Sequence, residues 1–370
     1  MALAAGQPRS SLNLRRNTWI DVLRGASVLL VIWLHLQIRI PFEKFAPLAS
    51  LPREVWRTFF TSGNGGVRIF FTLSGFLITK SLLRADPQSR LHALKSFYRR
   101  RIAKIVPPLL LLMVGLTLGH FFQIEFYTIQ NAGVSYFRAL FSVLTFHVNW
   151  LEGQKGYLPG GWDILWSLSV EEVFYLGYPI LIFWVRKPAL RIALLSIFVI
   201  AAPWVRASHS ANEIWQDKSY LGSMDAFALG CIAAIADEKW GSRWNRGFLQ
   251  WLGGAATIGI VWVLAVKKFD VFMNHRDHGF EKTILAGLTV FSIIGLRGLQ
   301  ARWLRPLAEI GRASYEIYLF HMFWVFAGVA VYRAVAPVAW NAWLILALVT
   351  AFSVYTGSWI EAHFSRRWLR

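Results

Sequence analysis

The sequence predicts an all-α, polytopic integral membrane protein of about ten transmembrane helices in one bundle, with both termini cytoplasmic. Three observations carry that expectation. Of the 370 residues, 56% are hydrophobic and only 16% charged, against about 25% charged in a typical soluble domain. The apolar residues gather into runs of roughly 20, the length a helix needs to cross the hydrocarbon core while satisfying its own backbone. The 39 Lys and Arg residues, set against 20 Asp and Glu for a net charge of +19, fall in the short gaps between those runs. On a soluble chain such a charge would suggest nucleic acid. Between apolar runs it reads as topology and headgroup contact, so membrane lipids are expected partners and nucleic acid is not.

In chain order the predicted spans are 20–40, 65–83, 105–122, 162–185, 189–205, 220–236, 248–266, 282–299, 313–333 and 341–360. The first follows Arg15 and Arg16 and carries charged residues of its own, which marks a retained span rather than a cleaved leader. The loop after the second span decides orientation. It holds Lys80, Arg84, Arg90, Lys95, Arg99, Arg100, Arg101 and Lys104 against a single acid, Asp86, and the positive-inside rule sets it in the cytoplasm. Between spans three and four, the apolar stretch 134–150 is interrupted by Arg138, His147 and Asn149 and reads as re-entrant or interfacial. A crossing there would invert every later loop. With ten spans, the turns at Arg186/Lys187/Arg191, Arg243/Arg246 and Arg302/Arg305/Arg312 and the end at Arg366/Arg367/Arg370 all share the side of Arg15 and Arg16. The chain thus divides into a cytoplasmic N-terminal segment (1–19), one membrane domain (20–360) and a basic cytoplasmic tail (361–370). The gaps are too short for a soluble domain, so the active parts are expected in the bundle or its loops. Cys231 is the one cysteine, which excludes an internal disulfide and a cysteine-based metal site; no metal is expected.

Ionisable groups within spans are costly and mark functional sites by default. Arg24 and His35 are eleven residues apart in the first span, close to three turns, which puts them on one helix face roughly 16 Å apart along the axis. The same pair fits a snorkelling arginine and a hydrogen-bonded bundle histidine. The fourth span carries Glu171 and Glu172 at a depth comparable with His35. A carboxylate paired with the imidazole would orient the ring and fix its tautomer, as a general base acting on a hydroxyl requires; an ion pair of the glutamates with Arg68 or Arg24 is the structural alternative. Arg101 and Lys104 share a helix face and suit phosphate groups, although the positive-inside rule alone also places them. For Asp225 a hydrogen bond within the bundle is expected, and for His321 packing among aromatics.

Five blocks then resemble the membrane-bound acyltransferase-3 family, whose members O-acylate polysaccharides, lipopolysaccharide, nodulation factors and macrolides. They are Ile20 to Gly25 with His35; Gly66 to Ile78; Phe97 to Pro107; Trp166 to Tyr175; and Gly311 to His321. The fourth is similar to the family's signature segment, whose essential glutamate falls on Glu171. Two positions depart from the pattern. Lys104 stands where an arginine is usual, keeping the charge but not the bidentate fork, and Val173 stands where a glutamine is usual.

The resemblance implies a membrane acyltransferase domain over 20–360 in a bacterial plasma (inner) membrane, with no permanently bound cofactor. Acyl-CoA, most simply acetyl-CoA, is the implied co-substrate at the cytoplasmic face, and a carbohydrate or glycolipid hydroxyl the acceptor. Arg101 and Lys104 are then assigned to coenzyme A phosphates, Arg24 to the inner donor channel, His35 to base catalysis or acyl carriage, and Glu171 to orienting His35. Ser74, Ser167 and Glu172 complete the substrate side, the serines as oxyanion donors. The chain closes soon after the tenth span, so acceptor handling is expected from the membrane domain or a partner. The outward loops 41–64, 123–161, 206–219 and 267–281 would shape it, and their Trp56, Tyr136, Trp150, Tyr157 and Trp215 suit either sugar faces or an interfacial belt. The rival class is a proton-coupled transporter or flippase of a glycan or lipid, which uses the same residue types as a relay.

Overall fold

The computed structural model describes residues 17–45, 50–84, 90–130, 133–209, 211–266, 279–299, 302–335 and 338–369. Arg15, Arg16, Asp86, Arg370 and most of the loop 267–281 lie outside them.

Among the described residues sixteen α-helices follow one another. They are α1 (Thr18–Gln37), α2 (Arg53–Phe60), α3 (Gly63–Leu83), α4 (Arg90–Phe121), α5 (Tyr136–Leu144), α6 (Val148–Lys155), α7 (Gly160–Asp163) and α8 (Leu165–Trp184). The second half comprises α9 (Pro188–Ser208), α10 (Glu213–Lys218), α11 (Tyr220–Trp240), α12 (Arg246–Ala265), α13 (Phe280–Gly295), α14 (Arg305–Arg312), α15 (Ser314–Ala334) and α16 (Ala339–His363).

Each of the ten predicted spans is a helix. Eight of them are long and apolar enough to cross a membrane by length and composition: α1, α3, α4, α9, α11, α12, α15 and α16. The other two differ for separate reasons. α13 has only 16 residues. α8 has 20, but Ser167, Ser169, Glu171 and Glu172 dilute its hydropathy. Residues 134–150 hold no span: α5 has nine residues, and α6, which has eight, packs against α8 and α10.

The basic stretch after the second span is not only a loop. Lys95 through Lys104 form the first turns of α4, which runs unbroken through Pro107 and Pro108 for 32 residues. At 1.5 Å per residue that helix is about 48 Å long, well beyond the ~30 Å hydrocarbon core, so its basic turns extend past the apolar layer.

The bundle is held by close backbone approaches. α3 and α11 pack through glycines: a Cβ on Gly75 would lie 2.2 Å from the Phe227 carbonyl oxygen, and one on Gly230 would lie 2.1 Å from that of Thr72. Small residues at such crossings are the usual solution where lipid supplies no hydrophobic drive between helices. One large core is built around α1, α3, α4, α8 and α15, with Val28, Ile32, Trp162, Val170 and Ile317 all buried. A smaller cluster joins the start of α1 to α12, α13 and α14.

Candidate active site

α8 sets the chemistry. Ser167, Glu171 and Tyr175 recur every four residues, so one face of the helix presents all three. Glu171 Oε1 accepts from Ser74 Oγ of α3 at 2.6 Å and from the Tyr175 hydroxyl. The guanidinium of Arg101 lies over the Tyr175 ring, 4.5 Å from its centre, close enough for a cation–π contact. From α1, Arg24 Nε donates to Ser314 Oγ of α15 at 3.1 Å. The Tyr318 and Ser167 hydroxyls lie 2.6 Å apart, and Tyr318 also donates to the Ile164 carbonyl at 2.9 Å, in the break between α7 and α8. These side chains enclose an inner cavity of about 90 Å³, to which Lys104 and Glu172 also contribute. Glu172 Oε1 is buried without a hydrogen-bond partner.

Seven of the eight site residues expected from the sequence, Arg24, Ser74, Arg101, Lys104, Ser167, Glu171 and Glu172, therefore line one cavity. His35 does not. It lines a second, outer cavity of about 460 Å³. The expected pairing of Glu171 with His35 is not formed, because Ser74 and Tyr175 take the carboxylate and His321 neighbours the imidazole. The two rings are 5.2 Å apart, centre to centre. The sequence fixes depth along a helix to about a turn; it does not fix which face meets which neighbour.

His321 Nδ1 lies 2.6 Å from the Tyr318 carbonyl oxygen. That contact requires a proton on Nδ1, so in the neutral ring Nε2 is an acceptor. His321 Nε2 and His35 Nδ1 are both buried without a hydrogen-bond partner. Packing among aromatics, the sequence expectation for His321, is only part of its setting.

Val67 and Tyr318 line both cavities and separate them. The rest of the outer wall combines residues of α1, α3 and α8, among them Leu34, Asn64 and Trp166, with segments between spans. The Lys218 ammonium, at the end of α10, joins Glu152 of α6 at 2.7 Å and also Asp163 of α7. Burial and the nearby Asp163 push the Glu152 carboxyl well above the usual carboxylate range, while Lys218 pulls the other way. Tyr157 donates to Glu213 at 2.9 Å, and Asn64 to Asp217 at 3.3 Å.

Several groups flagged in the sequence have structural roles. Asp225 has its bundle hydrogen bond, from Thr283 at 2.5 Å, and also accepts from Arg206 at 3.0 Å with Arg68 at 3.5 Å. Arg68 is thus committed to Asp225, not to the glutamates of α8. Of the five loop aromatics only Tyr157 lines either cavity; Trp150 and Trp215 meet edge to face at 5.0 Å, and Trp56 stacks on Phe60 at 4.2 Å. Val173 lies not beside the inner cavity but in an apolar groove with Phe198 and Leu221, so that departure from the family pattern leaves the cavity intact.

Sequence reasoning missed Tyr175, Ser314, Tyr315 and Tyr318 as cavity residues. The signal was available: Tyr175 stands four residues after Glu171, and the other three lie in the Gly311 to His321 block at helical spacing.

The comparisons agree with the resemblance read from the sequence. The acyltransferase domain family matches residues 17–361. A peptidoglycan O-acetyltransferase, OatA, of Listeria monocytogenes is 27% identical over 92% of this chain and 54% of its own length. Nodulation protein 10 of Rhizobium leguminosarum is 29% identical over 70% of each chain, and the O-acetyltransferase OatA of Staphylococcus aureus is 26% identical over 75% of this chain and 48% of its own. This chain thus spans about half the length of the two O-acetyltransferases. No solved structure matches. A polytopic helical bundle whose five motif blocks lie within a family match covering most of its length leads to one conclusion: this integral membrane protein belongs to the acyltransferase-3 family.

Proposed function

We propose that the protein transfers an acetyl group from acetyl-CoA to a hydroxyl of a glycan or glycolipid, working across a bacterial plasma membrane with its basic helix ends in the cytoplasm. The observation that carries this reading is the pair of cavities separated by Val67 and Tyr318, one lined by Arg24, Arg101 and Lys104 and the other by His35.

On this reading the inner cavity receives the acyl thioester. Its volume of about 90 Å³ is far below the ~300–1,000 Å³ of a whole-ligand site, so it suits a short acyl group and its sulfur. The phosphates of coenzyme A stay at the basic start of α4, where Arg101 and Lys104 offer charge-assisted hydrogen bonds. Arg24 faces the thioester and supplies N–H donors to the oxyanion; the Ser74 hydroxyl, which donates to Glu171, and the Ser167 hydroxyl, bonded to Tyr318, line the same wall. Glu171, held by Ser74 and Tyr175, balances Arg24 and Arg101 and keeps the Ser74 hydroxyl in place.

The acceptor approaches from the outer cavity. Its hydroxyl oxygen, admitted between Val67 and Tyr318, attacks the thioester carbonyl and its proton passes to His35; the carbon–sulfur bond breaks, and the proton ends on the departing thiolate. The products are an acetyl ester and free coenzyme A, with no other reactant needed. A variant in which His35 first takes the acetyl group, then yields it to the hydroxyl, balances equally.

The test is acetyl-CoA turnover by protein purified in detergent, reading free thiol release and acetyl transfer. Turnover that disappears in His35→Ala while acetyl-CoA still binds supports the reading. A wild-type protein that neither binds nor consumes acetyl-CoA, yet moves a glycan or lipid in vesicles, would establish the transport alternative instead.

A further inference from the structure

We propose that the outer cavity seats an uncharged pyranose ring of the acceptor, its hydroxyls held by Asp217, Asn64 and Glu213, its face on Tyr157 and one hydroxyl directed at His35. This rests on the acyl-transfer reading above for the identity of the donor, but not for the chemistry of the cavity.

Size comes first. About 460 Å³ lies within the ~300–1,000 Å³ range of small-molecule sites, with room for a sugar ring that the inner cavity lacks. The charges then select the ligand. Three carboxylates, Asp163, Asp217 and Glu213, stand on the wall. Both cations there among the described residues are engaged: Lys218 with Glu152 and Asp163, and Arg39 with the His35 carbonyl oxygen at 2.8 Å and over the Phe326 ring at 4.9 Å. A phosphate or uronate would face three carboxylates against two cations, of which Lys218 is already paired with carboxylates. Sugar hydroxyls are donors, and fixed carboxylates accept from them in hydrogen bonds about twice as strong as neutral ones.

The acceptor groups are already oriented. Asp217 is held by Asn64 at 3.3 Å and by Lys282, and Glu213 by the Tyr157 hydroxyl at 2.9 Å. That last bond also fixes the Tyr157 ring, which has the Lys218 ammonium over one face, 4.4 Å from its centre, and is 46% exposed, so that the opposite face is the surface for a pyranose to cover. Holding these groups before the ligand arrives lowers the ordering cost of binding. His35 stands at the same cavity with His321 beside it, so a bound ring presents a hydroxyl where the proton acceptor is.

The experiment uses the full chain in detergent micelles and measures equilibrium binding by saturation-transfer NMR. The probes are methyl β-glucopyranoside, an N-acetylglucosamine tetramer, methyl glucuronide and acetyl-CoA. At least one neutral sugar should bind, with the glucuronide weaker by about tenfold or more, the scale of one charged hydrogen bond. Asn64→Ala and Tyr157→Ala should each weaken the neutral sugar by about tenfold, leaving acetyl-CoA affinity unchanged. Tyr157→Phe, which keeps the ring face, should retain most of the binding. Melting temperatures of the variants separate lost contacts from lost folding, and Glu213→Gln, at the exposed rim, repeats the test where neither change is tolerated. Three results overturn the proposal: no neutral sugar bound by a protein that binds acetyl-CoA, a glucuronide that binds more tightly than its neutral counterpart, or sugar affinity indifferent to every one of these variants. Sugar binding that follows the variants in a protein unable to bind acetyl-CoA leaves the subsite standing and removes the donor.

Discussion

The two cavities are built in opposite ways. The inner one is walled by membrane helices, α1, α3, α4, α8 and α15, and its polar groups bond mainly to one another across those helices. The outer one takes most of its charged wall from two short segments, α7 and α10, and its carboxylates are held by lysines, an asparagine and a tyrosine. A site made by helix faces is rigid and small. A site made by connecting segments is larger and variable at little cost to the bundle, as loops on a fixed scaffold generally are. In the proposed reaction donor binding belongs to the first, and acceptor choice, together with the base His35, to the second.

The sharpest way to break that division is His35→Ala. Turnover should fall about 10³-fold, within the range for a lost general base, while acetyl-CoA affinity is retained; an equal loss of acetyl-CoA binding would merge the two cavities into one site. Next is Glu171→Gln. It weakens two hydrogen bonds to a carboxylate, and kcat should fall roughly 10- to 100-fold, as about 1.5–3 kcal/mol per charged bond allows, with the sugar affinity unchanged. Arg101→Ala should raise the KM for acetyl-CoA about tenfold with kcat little altered, the pattern of uniform binding, and the ionic-strength dependence of KM should flatten; stopped assays across a salt series read both. The smallest effect is expected at the shared wall. Tyr318→Phe removes one hydroxyl from the Ser167 and Ile164 contacts, worth about 1 kcal/mol, and should cost a few-fold in kcat with both substrate affinities intact. A large loss of either affinity would show that Tyr318 belongs to one cavity rather than to the boundary.

Helices at all ten predicted positions were legible from apolar runs, because burial in lipid leaves a long stretch of sequence little freedom. The start of α4 was not. Its basic turns read as loop, since charge density masks a helix that leaves the hydrocarbon before it begins to look apolar. The segment 134–150 read correctly as something other than a crossing, although the sequence did not show that it would supply α6, whose Glu152 helps hold Lys218 in the outer wall.

The candidate site divides along the same line. Residue types and their spacing along single helices placed Arg24 and His35 on one face, Glu171 with Glu172 in the fourth span, and Arg101 with Lys104 at the basic end, because helical periodicity is written into the chain itself. The tertiary structure alone decided which faces meet. It gave Glu171 to Ser74 and Tyr175, set His321 next to His35, committed Arg68 to Asp225, and put His35 in a cavity separate from the seven residues expected to accompany it. Contacts between distant segments depend on helix rotation and crossing, which follow from packing the whole bundle, and no local pattern of residues encodes them.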